Sequence, residues 1–246
     1  LNAKGITIIT MEPTMREVGE EAAWDYPVSA VTGAVSSECI IVFDDVFVPW
    51  ERVFMCGEWQ FSRDVTYLFA TFHRLFGASR MTTELEMLTG IGALMAEYNG
   101  LENFPHIREK LAWLVMYSEA VDIISKASCL YCEKEPDSDF VYPNTVYINT
   151  AKYMFADNYH QATKIVQDIC GGITATIPTY RDWMNPETHP LLEKYLGGKA
   201  SVPTEYRLRV ARLLKDLTHS HFQVGTLHGE GSLSAQRIFL YMGANW

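Results

Sequence analysis

The sequence predicts a mainly α protein: an antiparallel helix bundle over residues 59–246, preceded by the end of a small β-domain over residues 1–58. Three observations carry this. Two apolar, β-branched runs, Ile6-Thr7-Ile8-Ile9 and Cys39-Ile40-Ile41-Val42-Phe43, fall within the first fifty residues. From about residue 60 the apolar period changes from the two of a strand to the 3.6 of a helix. Glycine pairs and a Ser-Val-Pro-Thr-Glu start signal then punctuate the helical part. With 246 residues the chain is long enough to bury a sizeable core.

The elements follow in order. Between the two strand runs, Glu12 to Thr32 is rich in charge, Pro and Gly and reads as a loop. Asp44-Asp45 turns into Val46-Phe47-Val48-Pro49, where the proline suits a strand end rather than a central strand. Phe61, Val65, Leu68, Phe72, Leu75 and Phe76 recur at three- and four-residue steps and mark one apolar face of a long helix. Ile107, Leu111, Leu114, Val121 and Ile124 mark a second, behind Pro105, whose missing N–H is harmless in a first helical turn. Ile148, Ala151, Phe155, Tyr159, Ala162, Val166 and Ile169 mark a third, ending at Gly171-Gly172. Helices of this length must cover one another's apolar faces, hence the bundle. Ile173 to Gly198, with Pro178, Pro186 and Pro190, reads as a loop with short helical pieces. Ser201-Val202-Pro203-Thr204-Glu205 opens a helix through about Leu217, and a last helix begins near Ser232 and runs through Arg237 to Tyr241. The chain opens in mid-strand composition without a methionine, so further residues are expected upstream.

A net charge of −10 argues against non-specific nucleic-acid binding, which needs a surplus of Lys and Arg. No apolar run approaches the ~18 residues of a membrane span, and no signal segment opens the chain, so a cytoplasmic location is the default expectation. Five cysteines, an odd number without framework spacing, point to reduced thiols. Cys129-Leu130-Tyr131-Cys132 has CxxC spacing but lies in a helical pattern with no second ligand pair; it is expected to be buried and structural.

Two segments stand out chemically. Gln167-Asp168-Ile169-Cys170-Gly171-Gly172 closes a long helix, and His228-Gly229-Glu230-Gly231-Ser232 opens a shorter one. Glycine lets a backbone approach a ligand, and free N–H groups at a helix start favour phosphate, which suggests a pyrophosphate-bearing cofactor. Plain capping accounts for the same glycines. His73 and Arg74 sit among Phe72, Leu75 and Phe76, either as satisfied core residues or facing an anionic ligand. Glu38, at the head of an apolar run, is either a solvated carboxylate or a candidate acid or base. His219, His221 and His228 form a His cluster without the carboxylate or thiolate a metal site adds, so no metal is expected.

The run Val42-Phe43-Asp44-Asp45-Val46-Phe47-Val48-Pro49-Trp50-Glu51-Arg52-Val53-Phe54 resembles the 4-hydroxyphenylacetate 3-monooxygenase and 4-hydroxybutyryl-CoA dehydratase family, a branch of the acyl-CoA dehydrogenase-like flavoproteins. So do Gln167 to Pro178, Tyr195-Leu196, Val202 to Arg207, and His228 to Ser232 with Ala235-Gln236-Arg237. The resemblance implies a helical N-terminal domain, a middle β-domain and a C-terminal four-helix bundle, with FAD held between them and across a subunit interface. This chain is similar to the end of the β-domain plus the bundle. The resemblance further implies that Gln167, Gly171 and Gly172 contact the ADP part of FAD, that His228, Gly229 and Ser232 assist, and that Arg74 pairs with pyrophosphate. His73 and Glu38 would face the reacting centre as donor and acid/base. A small aromatic or acyl-CoA substrate, a flavin reductase and a homodimer or homotetramer are implied as partners.

Within the family the dehydratase branch adds a four-iron cluster held by three Cys and one His. The match puts His73 at the cluster His and Glu38 at an active-site Glu, but Arg80 and Met81 stand where that branch has Cys and Lys. Gly225-Thr226-Leu227 likewise stands where a further Glu is expected. Arginine brings positive charge and no thiolate. The resemblance therefore favours a flavin-only enzyme in which reduced FAD meets O₂ and a phenol-like substrate is hydroxylated. A 4-hydroxybutyryl-CoA dehydratase/vinylacetyl-CoA isomerase-like lyase, and a helical oligomerisation fragment inactive by itself, are the alternatives.

Overall fold

The computed structural model describes residues 2–10, 19–32, 39–219, 221–229 and 231–244. Both expected strand runs form. β1 (Ile6–Thr10) pairs antiparallel with β2 (Cys39–Phe43), Ile6 opposite Phe43 and Thr10 opposite Cys39. Ile8, Ile9, Ile40, Ile41, Val42 and Phe43 are exposed, so the ribbon buries neither of its faces within this chain. Val46 to Pro49 continues without strand pairing.

The loop expected from Glu12 to Thr32 is wrong over its second part. Residues 20–32 form two short helices, α1 (Glu20–Asp25) and α2 (Pro27–Thr32); residues 11–18 lie outside the described set. Neither helix is long enough to hold itself in water. Tertiary contacts hold them: Ala22, Trp24 and Val28 are buried, and Trp24 stacks on Trp183 with ring centroids 5.7 Å apart.

Three long helices make the frame: α3 (Ser62–Tyr98), α4 (Pro105–Leu130) and α5 (Thr145–Cys170). Cross-contacts give their directions. Arg74 near the start of α3 meets Asn149 near the start of α5, and the Asn99 amide beyond the end of α3 reaches the Ile169 carbonyl at 3.4 Å, so α3 and α5 run parallel. Lys110 at the start of α4 pairs with Asp168 at the end of α5, so α4 runs against both. Along the shared seam Met81, Leu85, Leu88, Ile91 and Met95 pack with Leu114, Val121, Phe155, Tyr159 and Val166, all buried. Full burial of each such aliphatic side chain contributes about 1.5–3 kcal/mol.

The expected faces of α4 and α5 are the packed ones, with Leu111 and Ile124 half-buried. That of α3 is not. Phe61, Val65, Phe72 and Phe76 are exposed, Phe76 at 76%, while Thr71, Arg74, Ala78, Met81 and Leu85 point inward. The first four turns of α3 are apolar around most of their circumference, so period alone selected the wrong side; small Gly77 and Ala78 mark the side that approaches α5.

The short connections form as expected between Ile173 and Gly198: α6 (Ile173–Thr176), α7 (Tyr180–Met184) and α8 (His189–Tyr195). β3 (Glu133–Lys134) and β4 (Val141–Tyr142) make a hairpin between α4 and α5. α9 (Thr204–His219) and α11 (Leu233–Gly243) match the reading, whereas α10 (His221–His228) was not anticipated. Among the described residues, no helix is long and apolar enough to cross a membrane.

Two charges one turn apart on α9 hold α1 and α2 in place. The Asp216 carboxylate accepts from the backbone N–H groups of Val28 (2.8 Å) and Ser29 (2.9 Å) and from the Ser29 hydroxyl (3.0 Å). Because Pro27 opens α2 without an N–H, these two are its first free donors, and Asp216 caps the helix from a residue distant in sequence. Arg212 donates to the carbonyls of Pro178 (2.8 Å) and Ile177 (3.0 Å) and lies 3.4 Å from the Asp25 carboxylate, which accepts from Tyr180 N–H. Burial pushes the Asp25 carboxyl up, against the opposing pull of the Arg212 charge. Removing a buried charged acceptor strands its donors, so Asp216→Ala should lower unfolding free energy by about 3 kcal/mol, read as a fall in the urea midpoint. Asp216→Asn, keeping one acceptor oxygen, should lose less; equal stability of Asp216→Ala and the parent would refute the cap.

Candidate functional site

Arg74 is the centre of a buried polar group at one end of the bundle. It is 2% exposed; its Nη1 donates to Asn149 Oδ1, and its guanidinium lies 4.4 Å from the centroid of the Phe239 ring on α11. Asn149 is oriented in turn by donating to the Thr145 carbonyl at 2.6 Å. From the other side Gly231 comes down on the guanidinium, with φ of 96°, and a Cβ there would stand 3.3 Å from Arg74 Nη2. Only glycine takes that backbone conformation without strain.

Ser232 then caps α11, its hydroxyl accepting from Ala235 N–H at 3.2 Å. Gln236 is fully buried, donates through Nε2 to the Gly231 carbonyl at 2.7 Å, and among the described residues its Oε1 has no hydrogen-bond partner. Lys152, one turn beyond Asn149 and fully buried, donates to the Thr226 carbonyl at 3.2 Å. A buried guanidinium meets a helix start here, with a second buried cation one turn along α5. That combination favours a bound anion, to which Arg74 would bring a planar fork of donors.

Neighbouring His73 points the opposite way. It is exposed, its ring 5.6 Å from that of Phe69 and nearly parallel to it, so it is not a core histidine. Phe72 beside it meets Phe140 of the β3–β4 hairpin at 5.9 Å. Glu38 lies outside the described residues, as does Glu230.

The other glycine segment sits elsewhere. Gly171 ends α5 with φ of 73° and donates to the Gln167 carbonyl at 2.9 Å, a helix cap; Gly171 and Gly172 are exposed with open space where a Cβ would stand. Gln167 is half-buried. From Asn149 to Gln167 the axis of α5 rises about 27 Å. The structure thus joins Arg74 with Gly231 and Ser232 and leaves Gln167, Gly171 and Gly172 at the far end. His228, exposed at the end of α10, and Gly229, bonded to the Gly225 carbonyl at 2.7 Å, lie next to the first group in sequence.

Arg80 pairs with Glu84 one turn along α3, where Glu84 is nearly buried. Burial pushes the hydroxyl of Tyr159 beside them up, and among the described residues that hydroxyl has no hydrogen-bond partner. His219 shares a 3.0 Å contact with the Thr218 hydroxyl, and the side chain of His221 is outside the described set. The CxxC expectation fails: Cys129 and Cys132 are both exposed, because Ser128 is the last buried position of α4. Asn149, Lys152 and Gln236 were missed in the sequence. Their signal is a polar residue on the buried side of an amphipathic helix.

Residues 62–246 match the family model described as 4-hydroxyphenylacetate 3-hydroxylase C terminal, and residues 1–55 the one described as 4-hydroxyphenylacetate 3-hydroxylase N terminal. The chain is 29% identical over 210 residues to the 4-hydroxyphenylacetate 3-monooxygenase oxygenase component of Thermus thermophilus, covering 83% of this chain and 42% of that protein. It is 28% identical over 229 residues to the 4-hydroxybutyryl-CoA dehydratase/vinylacetyl-CoA-Delta-isomerase of Clostridium aminobutyricum, covering 85% and 45%. Among solved structures, the oxygenase component of 4-hydroxyphenylacetate 3-monooxygenase complexed with FAD and 4-hydroxyphenylacetate superimposes with a TM-score of 0.86 at 26% identity, over 99% of this chain and 51% of that one. An archaeal 4-hydroxybutyryl-CoA dehydratase from N. maritimus gives 0.84 at 30%, over 97% and 48%. The chain spans about half the length of these relatives.

The close approach at Gly231 is testable without a ligand. Gly231→Ala must adopt a strained backbone and press on Arg74, and should destabilise the chain by about 1–2 kcal/mol in thermal or urea unfolding. Gly172→Ala, with ordinary φ and open space, should be close to neutral.

Proposed function

Because the chain belongs to the 4-hydroxyphenylacetate 3-hydroxylase family, we propose that it forms the FAD-holding bundle of an oxidoreductase that hydroxylates a phenol-like aromatic substrate. The observation that carries the reading is Arg74, buried beneath Gly231 at the start of α11. Its surroundings fit a dinucleotide cofactor. Arg74, Ser232 and the free N–H groups of the first turn of α11 would hold the diphosphate, with His228 and Gly229 bordering it. The orphaned Gln236 Oε1 would accept from a hydroxyl or N–H of the cofactor.

One diphosphate cannot also reach Gln167, Gly171 and Gly172 of the same chain, about 27 Å along α5. These residues would instead contact the ADP part of FAD bound in a second copy, making a homodimer or homotetramer the working form. Bound reduced flavin supplies the electrons for O₂ and the oxygen transfer to the ring. The chain's own contributions are anion binding by Arg74, hydrogen bonding to the substrate hydroxyl by the His73 ring, and proton transfer at the Glu38 carboxyl. Residues 1–58 would complete a β-domain and residues 59–246 the bundle. A separate flavin reductase in the cytoplasm would supply reduced FAD, in keeping with the "oxygenase component" of the Thermus relative's name.

Arg74→Ala, checked for folding by circular dichroism, should weaken FAD binding by about 2 kcal/mol, roughly thirty-fold in Kd. Gln167→Ala should weaken it as well. Mixing the two variants should restore one intact site per heterodimer, since Arg74 of one copy then meets Gln167 of the other. No recovery on mixing would sink the shared site, and no FAD affinity in the parent would sink the whole reading.

The 30% identity to the archaeal dehydratase supports a second reading, a 4-hydroxybutyryl-CoA dehydratase-like lyase. Against it stands the Arg80–Glu84 pair at a position where the resemblance calls for a thiolate. Anaerobically prepared protein is expected to contain no stoichiometric iron and to leave 4-hydroxybutyryl-CoA unchanged; iron together with crotonyl-CoA formation would select the lyase.

A further inference from the structure

We propose that Cys129 and Cys132 form a reversible disulfide at the root of the β3–β4 hairpin, closed by a hydroperoxide. Of the five cysteines, Cys170 is buried, its thiol pushed up to about 12 by that burial, and Cys39 and Cys56 stand singly, in β2 and in the segment before α3. Cys129 and Cys132 alone are paired at short sequence range with both thiols exposed.

The local geometry suits closure. Cys129 stands in the last turn of α4 and Cys132 two residues past its end, and a link between thiols this close in sequence needs their Cα atoms within roughly 4.4–6.8 Å. Tyr131 closes the last turn by donating to the Ala127 carbonyl at 2.9 Å, then leaves the helix with φ of −106° and ψ of 41°. The stretch is fixed on both sides. The Ser128 carbonyl accepts from Asn144 N–H at 2.7 Å, and the Glu133 carboxylate accepts from the Thr145 N–H at 3.1 Å. Between these anchors the Tyr131 ring meets Tyr147 edge-on, with centroids 6.0 Å apart, which leaves the two exposed thiols on either side of it.

The chemistry balances with hydrogen peroxide as oxidant. One thiolate attacks the peroxide oxygen, giving a sulfenic acid and hydroxide; the second thiol displaces the sulfenic oxygen as water and the S–S bond forms. Two thiols lose two electrons and two protons, and one peroxide becomes two waters. Reduction by a cellular dithiol reverses it, as for exposed, labile disulfides generally. The consequence reaches the candidate site because Phe140 of the same hairpin packs on Phe72, the neighbour of His73. Closing the clasp re-sets the root of that hairpin.

The test is peptide mapping by mass spectrometry after treating the reduced, folded chain with hydrogen peroxide. The expected product is one peptide containing Cys129 and Cys132, lighter by two hydrogens and restored by dithiothreitol, with Cys170 still reduced. Cys132→Ser should stop at a sulfenic acid on Cys129 that dimedone traps. Hydrogen exchange across residues 133–142 should differ several-fold between the reduced and oxidised forms. Separate over-oxidation of the two thiols, or links between chains in place of the internal one, would overturn the proposal; an internal link with unchanged hairpin exchange would overturn the coupling to the His73 face.

Discussion

A guanidinium removed from water must find acceptors and a polarisable surface, or the fold cannot keep it. That requirement at Arg74 organises one whole end of the bundle. It explains Asn149 on the otherwise apolar face of α5, the Phe239 ring laid against the guanidinium, and a glycine with φ of 96° where α11 begins. Together these tie α5 and α11 to α3. The site and the packing of α3, α5 and α11 are consequently one problem rather than two, and a change to either disturbs the other.

The same physics acts on the opposite flank with a different outcome. Arg212 and Asp216 are also buried, but their partners are all within the chain: two carbonyls and a carboxylate for the arginine, two N–H groups and a hydroxyl for the aspartate. Nothing in that set asks for a ligand. At the Arg74 end, by contrast, a buried carboxamide oxygen has no donor among the described residues, and a second buried cation, Lys152, stands one turn along α5 from Asn149. Trp24 Nε1, on the helix the clamp holds, also lacks a partner among the described residues, so it is the buried cations near the Gln236 oxygen, rather than the orphan alone, that mark the Arg74 end as the candidate site.

What could be read from the sequence follows from which forces are local. α4 and α5 were legible with their faces because polar and apolar residues segregate cleanly along them. The first turns of α3 carry apolar residues nearly all round, so their phase is decided by neighbours, and it came out on the Gly77 and Ala78 side. α1 and α2 were invisible because their stability comes from Asp216 and Trp183, far away in sequence. Of the candidate site, Arg74 and Ser232 could be picked out as residue types suited to phosphate, and Gly231 only as part of the His228–Ser232 segment. Asn149, Lys152 and Gln236 were not, since a polar residue on an apolar face has meaning only once its partner is known. The CxxC pair was misread because a helical pattern does not show where packing stops.

α5 fixes the distance between the two glycine-marked segments. Its 26 residues rise about 39 Å, and the two segments that suggested a dinucleotide sit near its opposite ends. A helix of that length is rigid on the scale of a ligand, so no side-chain motion within one chain brings Gln167 to Arg74. Either the glycine pair is a cap and nothing more, or its ligand belongs to another copy. The geometry of Gly171 satisfies the cap completely, yet Gly172 lies beyond it, exposed, with ordinary backbone angles and open space at its Cβ. Capping needs one glycine. The second stands at the N-cap of α6, and on the shared-site proposal its bare backbone is what a ligand held by another copy would approach.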